Sequence, residues 1–593
     1  MGRLARASGG FRRARARSRR CCVSLCRRSP SSRSCCGRAI RPCPTPGCRS
    51  WREWRRRARS SRHWSSSSRR RWARDRRRVR SYRLSIMAGG NGMLRQLMAF
   101  VAMAIGCGTT AAAAAPDGIG PDKAALAEVD RIFDHWAIDA HVPGLVYGLV
   151  VDGKLVHVRG VGVQDVVSKK PVSPDSLFRI ASMSKAFTAL AILKLRDEGR
   201  IVLDAPAETY VPELKGWKYP TADSPKITVR NLLTHSAGFV EDNPWGDRQQ
   251  VMPEAEFTAV LKAGVPFARA PGVSMEYSNF GYATLGRIVS NVSGVRYEEY
   301  IRRNFMIPLG MASTGYDVFA SPASARAIGY RWQDNGYVRE PDMKDGAFGA
   351  MGGVETSAND YAKWVEFLLS AWPARDGVDT GPVGRATVRE IVTGANFATA
   401  AMRNPAIGGA PCRQAVAYGM AWRVIDDCDL GRVVTHTGGY PGYGSVVMLL
   451  PEKGVGLFAF ASKTYGGASL PAFRAMLALN KAGALQDRGT EVSPGLASAY
   501  DAARAVWRTG AIESAPLANN MLMDRDAPRW KALIEGLKAQ VGTCDMDAPI
   551  TPYWAMEGRF LWTCEHGRIA GRVQRAPTPA VTLQALEFAV QAP

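Results

Sequence analysis

The sequence predicts an α+β protein: an antiparallel sheet assembled from both ends of one long segment, flanked by helices, with a mostly helical region inserted between the ends. Three observations predict it. Leu145–Val151 and Lys154–Val161 flank Asp152-Gly153, and Ser445–Leu450 and Val455–Ala461 flank Pro451-Glu452-Lys453-Gly454. Each set reads as a β-hairpin, since two apolar runs meet at residues that tolerate a tight reversal. Between the hairpins, residues 203–340 are rich in helical and loop-like stretches, with Pro206, Pro212, Pro220 and Pro225 as punctuation. The pattern then lapses near Asp487–Pro494, which predicts a linker and a small α+β module over 487–593.

The 593 residues are enough for two or more domains. The formal charge of +27 suggests nucleic acid, and its distribution removes that reading: residues 1–90 carry 29 Arg against Glu53 and Asp75, and the rest balances. Residues 1–92 have no usable period and are not expected to fold. They read either as a basic arm or, preferably, as an upstream stretch translated from a start placed too early. Residues 93–115 show why. Met93-Leu94-Arg95 precedes an apolar run from Leu97 to Cys107 and an alanine-rich end, the order of a secretory signal peptide. The expected mature chain begins between Ala111 and Asp117, periplasmic and without a transmembrane anchor. A lipoprotein acylated at Cys107 is the lesser alternative, because Ala104 stands where a larger aliphatic residue is usual. Four cysteines remain downstream, and proximity pairs Cys412 with Cys428 and Cys544 with Cys564. No Cys or His spacing supports a metal site, and no cofactor is implied.

Taken in order, Asp122 opens an amphipathic helix with Leu126, Val129, Phe133 and Trp136 on one stripe. After the first hairpin, Phe178-Arg179-Ile180-Ala181 leads into a helix that ends near Gly199. This helix is apolar almost all round through Met183, Phe187, Leu190 and Leu193, so it is expected to be buried. Ser182 and Lys185, three apart, face one side of its first turn, near unpaired N–H groups that favour negative charge. Alone, this pair is as well explained by a helix cap and a solvated lysine. A short helix at Val229–Leu233 ends at His235, read as a structural histidine. Tyr277 precedes a helix through Leu285 and Val289, and a further helix carries Tyr361, Trp364 and Leu368. Residues 432–442 read as a strand running into a glycine-rich bend, followed by the second hairpin and a helix near Phe473–Leu479. The tail reads as two helices and three short strands.

Ser182-x-x-Lys185, Tyr277-Ser278-Asn279 and His436-Thr437-Gly438, in this order, resemble the three signatures of the penicillin-recognising serine hydrolases. Within them the chain is similar to the serine β-lactamase and D,D-peptidase-like group, that is, class C β-lactamases, D-alanyl-D-alanine carboxypeptidases, D-aminopeptidases and related esterases. The resemblance covers residues 120–482 and implies a β-lactamase/transpeptidase-like fold over 116–486. It implies Ser182 as nucleophile, with the Ser182 and Gly439 N–H groups holding the oxyanion. It further implies Lys185 as base, Tyr277 as proton relay, Asn279 on the substrate amide, and His436, Thr437 and Gly438 on the facing wall. A base must be neutral, and with an ordinary pKa of ~10.4 only about one lysine in ~2,500 is neutral at pH 7. Burial at a helix N-terminus corrects that shortfall. Class C β-lactamases usually carry Lys where this chain has His436, which moves the expectation toward a D,D-carboxypeptidase or esterase with weak β-lactamase activity. The expected partner is a small-molecule or cell-wall peptide substrate, with no nucleic acid, and the oligomeric state is left open. The rival classes are a non-catalytic penicillin-binding scaffold and, behind it, a nucleic-acid binder using the Arg-rich arm.

Overall fold

The computed structural model describes residues 121–375 and 377–591. The Arg-rich stretch, the signal-like segment and Cys107 lie outside the described residues. Helix α1, Lys123–Asp139, is capped by Asp122, whose carboxylate accepts from the Ala125 N–H at 2.7 Å. Hairpin β1 (Gly144–Val151) and β2 (Lys154–Gly162) follows, then the short strand β3, Phe178–Arg179. A 3₁₀ turn at Ala181–Ser184 leads into α2, Lys185–Asp197, so Ser182 lies just before the α-helix rather than within its first turn. The inserted region holds α3 (Val229–Leu233) and α4 (Asn279–Ser293). It also holds a hairpin of β4 (Tyr330–Gln333) and β5 (Gly336–Arg339), then α5 (Gly349–Gly352), β6 (Glu355–Thr356) and α6 (Ala358–Leu369).

The main sheet is larger than the two hairpins imply. It adds β7 (Asn396–Met402), β8 (Arg413–Tyr418), β9 (Arg423–Asp427) and β10 (Gly431–Tyr440) to β11 (Tyr443–Leu450) and β12 (Val455–Ala461). The strand order is β2-β1-β12-β11-β10-β9-β8-β7, antiparallel at each pairing. β1 joins the C-terminal strands directly, with Leu145 opposite Ala461 and Val151 opposite Val455. Every residue of β1, β11 and β12 is buried, because helices cover both faces. Leu145, Tyr147 and Leu149 meet α1 and α7 (Ser469–Lys481) on one side. Val146 and Val150 meet α2, α4 and α6 on the other. Cys412 and Cys428 are joined between β8 and β9.

The tail has its own core, drawn from residues 496–588. Helices α8 (Pro494–Thr509) and α9 (Ala527–Val541) cover a five-stranded sheet rather than three strands. These are β13 (Cys544–Asp545), β14 (Thr551–Trp554), β15 (Glu557–Cys564), β16 (Gly567–Arg575) and β17 (Leu583–Gln591). Cys544 faces Cys564 across β13 and β15 and is bonded to it.

Candidate active site

β3 pairs with β6 and delivers the chain to Ala181, which sits at φ 48°, a left-handed conformation that a residue with a Cβ adopts only under constraint. The next residue is Ser182. The Ser184 hydroxyl accepts from the Val354 N–H at 3.0 Å, and the Ile180 carbonyl accepts from the Ser445 hydroxyl at 2.8 Å, so the turn is anchored on both sides. Lys185, fully buried, opens α2 and turns its amine back onto Ser182: Nζ lies 3.0 Å from Oγ. Its other contacts are Asn279 Oδ1 at 2.7 Å and the Met351 carbonyl at 2.8 Å, both acceptors. Among the described residues no carboxylate touches the amine. Burial pulls its pKa down to about 7 against the opposing pull of Asp247 and Asp242.

Tyr277 is half-buried beside this pair, with its ring centroid 5.0 Å from Lys185 Nζ. Burial pushes the phenol well up, opposed by the Ser182 hydroxyl, so Tyr277 stays protonated at neutral pH. His235 supports it from behind. Its Nδ1 accepts from the Ser278 N–H at 3.2 Å, and its ring lies 4.3 Å from that of Tyr277. This is a structural histidine.

Across the cleft runs β10. Gly438 and Gly439 lie within the strand and form no bend, and close packing is what demands them. A Cβ on Gly438 would fall 2.3 Å from the Ile180 carbonyl oxygen, and one on Gly439 would fall 2.8 Å from the Tyr465 ring. β9 pairs with β10 only as far as Thr435, so among the described strands nothing pairs with that side of β10 from His436 to Tyr440. The His436 imidazole is buried. Its Nδ1 lies 2.7 Å from the Thr437 carbonyl, which can only accept, so Nδ1 carries the proton and Nε2 accepts from the Tyr418 hydroxyl at 3.0 Å. Burial pulls its pKa down to about 3, so the ring is neutral where a lysine would be charged.

Ser182, Tyr277, His436, Thr437, Gly438 and Gly439 all line one cleft of about 640 Å³. Asn279 does not. It is fully buried beneath the floor, Oδ1 on Lys185 and Nδ2 donating to Asn243 Oδ1 and Asp247 Oδ1, each at 3.2 Å. Its polar atoms thus contact the lysine and its neighbours, and Asn243 is the asparagine that lines the cleft.

The lining residues missed by sequence reasoning include Asn243, Asp247, Arg423 and Tyr465. None belongs to a spaced motif. The Arg423 guanidinium makes no hydrogen bond or ion pair among the described residues, although the residue begins β9 opposite Thr435, next to His436. Asp247 is 5% exposed, and burial raises its pKa. Its Oδ2 accepts from the Tyr465 hydroxyl at 3.2 Å. Among the described residues no cluster of side chains is arranged to hold a metal ion.

Residues 129–481 match a family model described as Beta-lactamase. The chain is similar to Protein flp of Staphylococcus aureus strain N315, 29% identical over 342 residues that make up 56% of this chain and 62% of that protein. It is also similar to Penicillin-binding protein 4* of Bacillus subtilis strain 168, 25% identical over 316 residues, 50% of this chain and 63% of that one. The chain thus spans less than two thirds of the length of these curated relatives. Among solved structures it shares its fold with an octameric penicillin-binding protein homologue from Pyrococcus abyssi. The TM-score is 0.50 at 21% identity, covering 79% of this chain and 98% of that one.

Proposed function

Because the chain belongs to the Beta-lactamase family, we propose that it is an exported serine hydrolase that forms an acyl-enzyme on Ser182 with D-amino-acid peptide, amide or ester substrates. One observation carries the reading: the three contacts of the Lys185 amine. A neutral amine has two N–H bonds and one lone pair. Asn279 Oδ1 and the Met351 carbonyl can only accept, so they take the two hydrogens and leave the lone pair for the Ser182 hydroxyl proton. Lys185 removes that proton as Oγ attacks the acyl carbon. The Ser182 and Gly439 N–H groups receive the charge on the carbonyl oxygen. Tyr277, kept as a phenol, can then donate a proton to the leaving group only by regaining one from Lys185, which makes it a relay and not the primary base. Water attacks the acyl-enzyme in the second half.

The third motif contributes shape and hydrogen bonding without charge, because His436 is neutral. Among the described lining residues the cation is Arg423, whose guanidinium suits a substrate carboxylate. This supports a carboxypeptidase-like preference for a free C-terminal carboxylate, with weak β-lactamase action as a side reaction. The unpaired edge of β10 suits an extended peptide substrate laid alongside it. The two disulfides support export, and among the described residues no helix is long and apolar enough to cross a membrane.

The test is labelling with a fluorescent penicillin and with a fluorophosphonate, read by intact mass. Wild type should gain one adduct and Ser182→Ala none. The same adduct on Ser182→Ala would overturn the assignment.

A further inference from the structure

The Asn279 amide can be turned two ways, and they differ in what they offer Lys185. With Oδ1 toward the amine, the lysine donates and its lone pair stays with Ser182. With Nδ2 toward it, an amide N–H competes for that lone pair. The first arrangement is found, and two acceptors hold it: Asn243 Oδ1 and Asp247 Oδ1. Asn243 is itself an amide that can turn and present a donor. Burial raises the Asp247 pKa to about 6, and above that value its carboxylate can only accept. We propose that Asp247 is a positioning residue of the acylation step, fixing through Asn279 how the Lys185 amine is presented to Ser182. The inference rests on Lys185 acting as base for Ser182. The second Asp247 oxygen takes the hydroxyl of Tyr465, whose ring lies against Gly439, so one carboxylate ties the lysine side of the cleft to the β10 side.

The same carboxylate also sets the charge the amine feels. Several groups face Lys185. Its own turn supplies Ser182, and the α4 region supplies Asn279 with the Tyr277 and Tyr282 rings at 5.0 and 5.5 Å. α5 supplies the Met351 carbonyl, and the segments around supply His235, His436, Asp242 and Asp247. Burial keeps both imidazoles neutral and both phenols protonated. The charges that remain are the two carboxylates. Asp242 is engaged at the start of α4, accepting from the Asn279 and Phe280 N–H groups at 2.6 and 2.8 Å. Asp247 faces Tyr465 and Arg248 and reaches the base through a side-chain amide. A carboxylate there favours the protonated amine.

The experiment measures the acylation rate of Ser182 by a fluorescent penicillin from pH 5 to 9 for the full chain, Asp247→Asn and Asp247→Ala. Asp247→Asn keeps the shape and one oxygen able to accept but removes the charge, so the acid limb of its profile should move to lower pH by about one unit, the low end for loss of a nearby opposite charge. Asp247→Ala removes the acceptor as well, and its plateau should fall on the order of 10-fold further than that of Asp247→Asn, from a misdirected amine. An unmoved limb in Asp247→Asn overturns the proposal, as does an Asp247→Ala plateau equal to wild type. If Asp247→Ala does not fold, the limb of the isosteric Asp247→Asn decides alone. Absence of label on wild-type Ser182 would instead overturn the acyl-enzyme reading and this inference with it. A labelled wild type with an unmoved limb removes Asp247 only.

Discussion

A lysine that serves as a base has to be stripped of the charge that normally defines it, and at Lys185 burial does this without a contacting acid. Replacement by arginine keeps a positive charge that cannot be shed. Lys185→Arg should therefore lose acylation by at least ~10²-fold, the low end for general-base catalysis, with an unchanged melting curve. Wild-type kinetics in that variant would remove Lys185 from the mechanism. The pH sign follows from the same group: its folded pKa is lowered to about 7, so acylation by wild type should be flat above that value and fall below it, about tenfold per unit, as protons occupy the lone pair. Arg423 makes a separate prediction about substrate choice. Arg423→Gln should reduce kcat/KM by about 10-fold or more for a peptide with a free C-terminal carboxylate. It should leave the C-terminal amide of the same peptide nearly unaffected, and equal losses on both would show that Arg423 only supports the wall. The motif residues were legible because local spacing presents them together. Arg423 and the neighbouring Asn243 and Asp247 were not, since they come from segments whose place is set only by the assembled cleft.

At the level of elements, the cleft depends on how closely β10 approaches the nucleophile turn. Gly438→Ala would place a methyl 2.3 Å from the Ile180 carbonyl oxygen and 2.1 Å from the Ser445 hydroxyl, and the first of these is backbone that cannot step aside. The expected cost is about 1–3 kcal/mol in urea unfolding, as for an overpacked core, together with a loss of Ser182 labelling. A variant of wild-type stability would mean that the strand has more room than this. The two main hairpins were readable because short apolar runs and turn residues coincide in them. β7 and β8 were not: Asn396-Phe397-Ala398-Thr399-Ala400-Ala401-Met402 lies at the sheet edge, largely exposed, and so carries no burial pattern. The β4–β5 hairpin did carry a signal that was passed over. Its turn, Asp334-Asn335, has φ of 50° and 58°, the left-handed pair that a two-residue reversal requires. In the tail, Pro552 masks β14, and β13 is only two residues long, which reduced five strands to three.

The described chain has three hydrophobic clusters, and the one in the tail shares no residue with the two that clamp the main sheet. Trp562 is its centre, fully buried, with its indole N–H on the Tyr500 hydroxyl at 2.8 Å. Trp562→Ala should cost about 3–5 kcal/mol within the tail and expose it to protease. Ser182 labelling should keep its wild-type rate, and a parallel loss would show that the tail braces the cleft. The main sheet has the opposite character. β1 is placed between β2 and β12, so its inner neighbour is among the last parts of that segment to be made. A growing chain makes the Ser182 turn early, yet the strand edge that faces it, and the β12 that locks β1 in place, arrive only near the end. Pairing across so long a stretch is slow, because the intervening loop must first be closed. The cleft therefore comes together in one late step of folding, once both ends of this segment have been made.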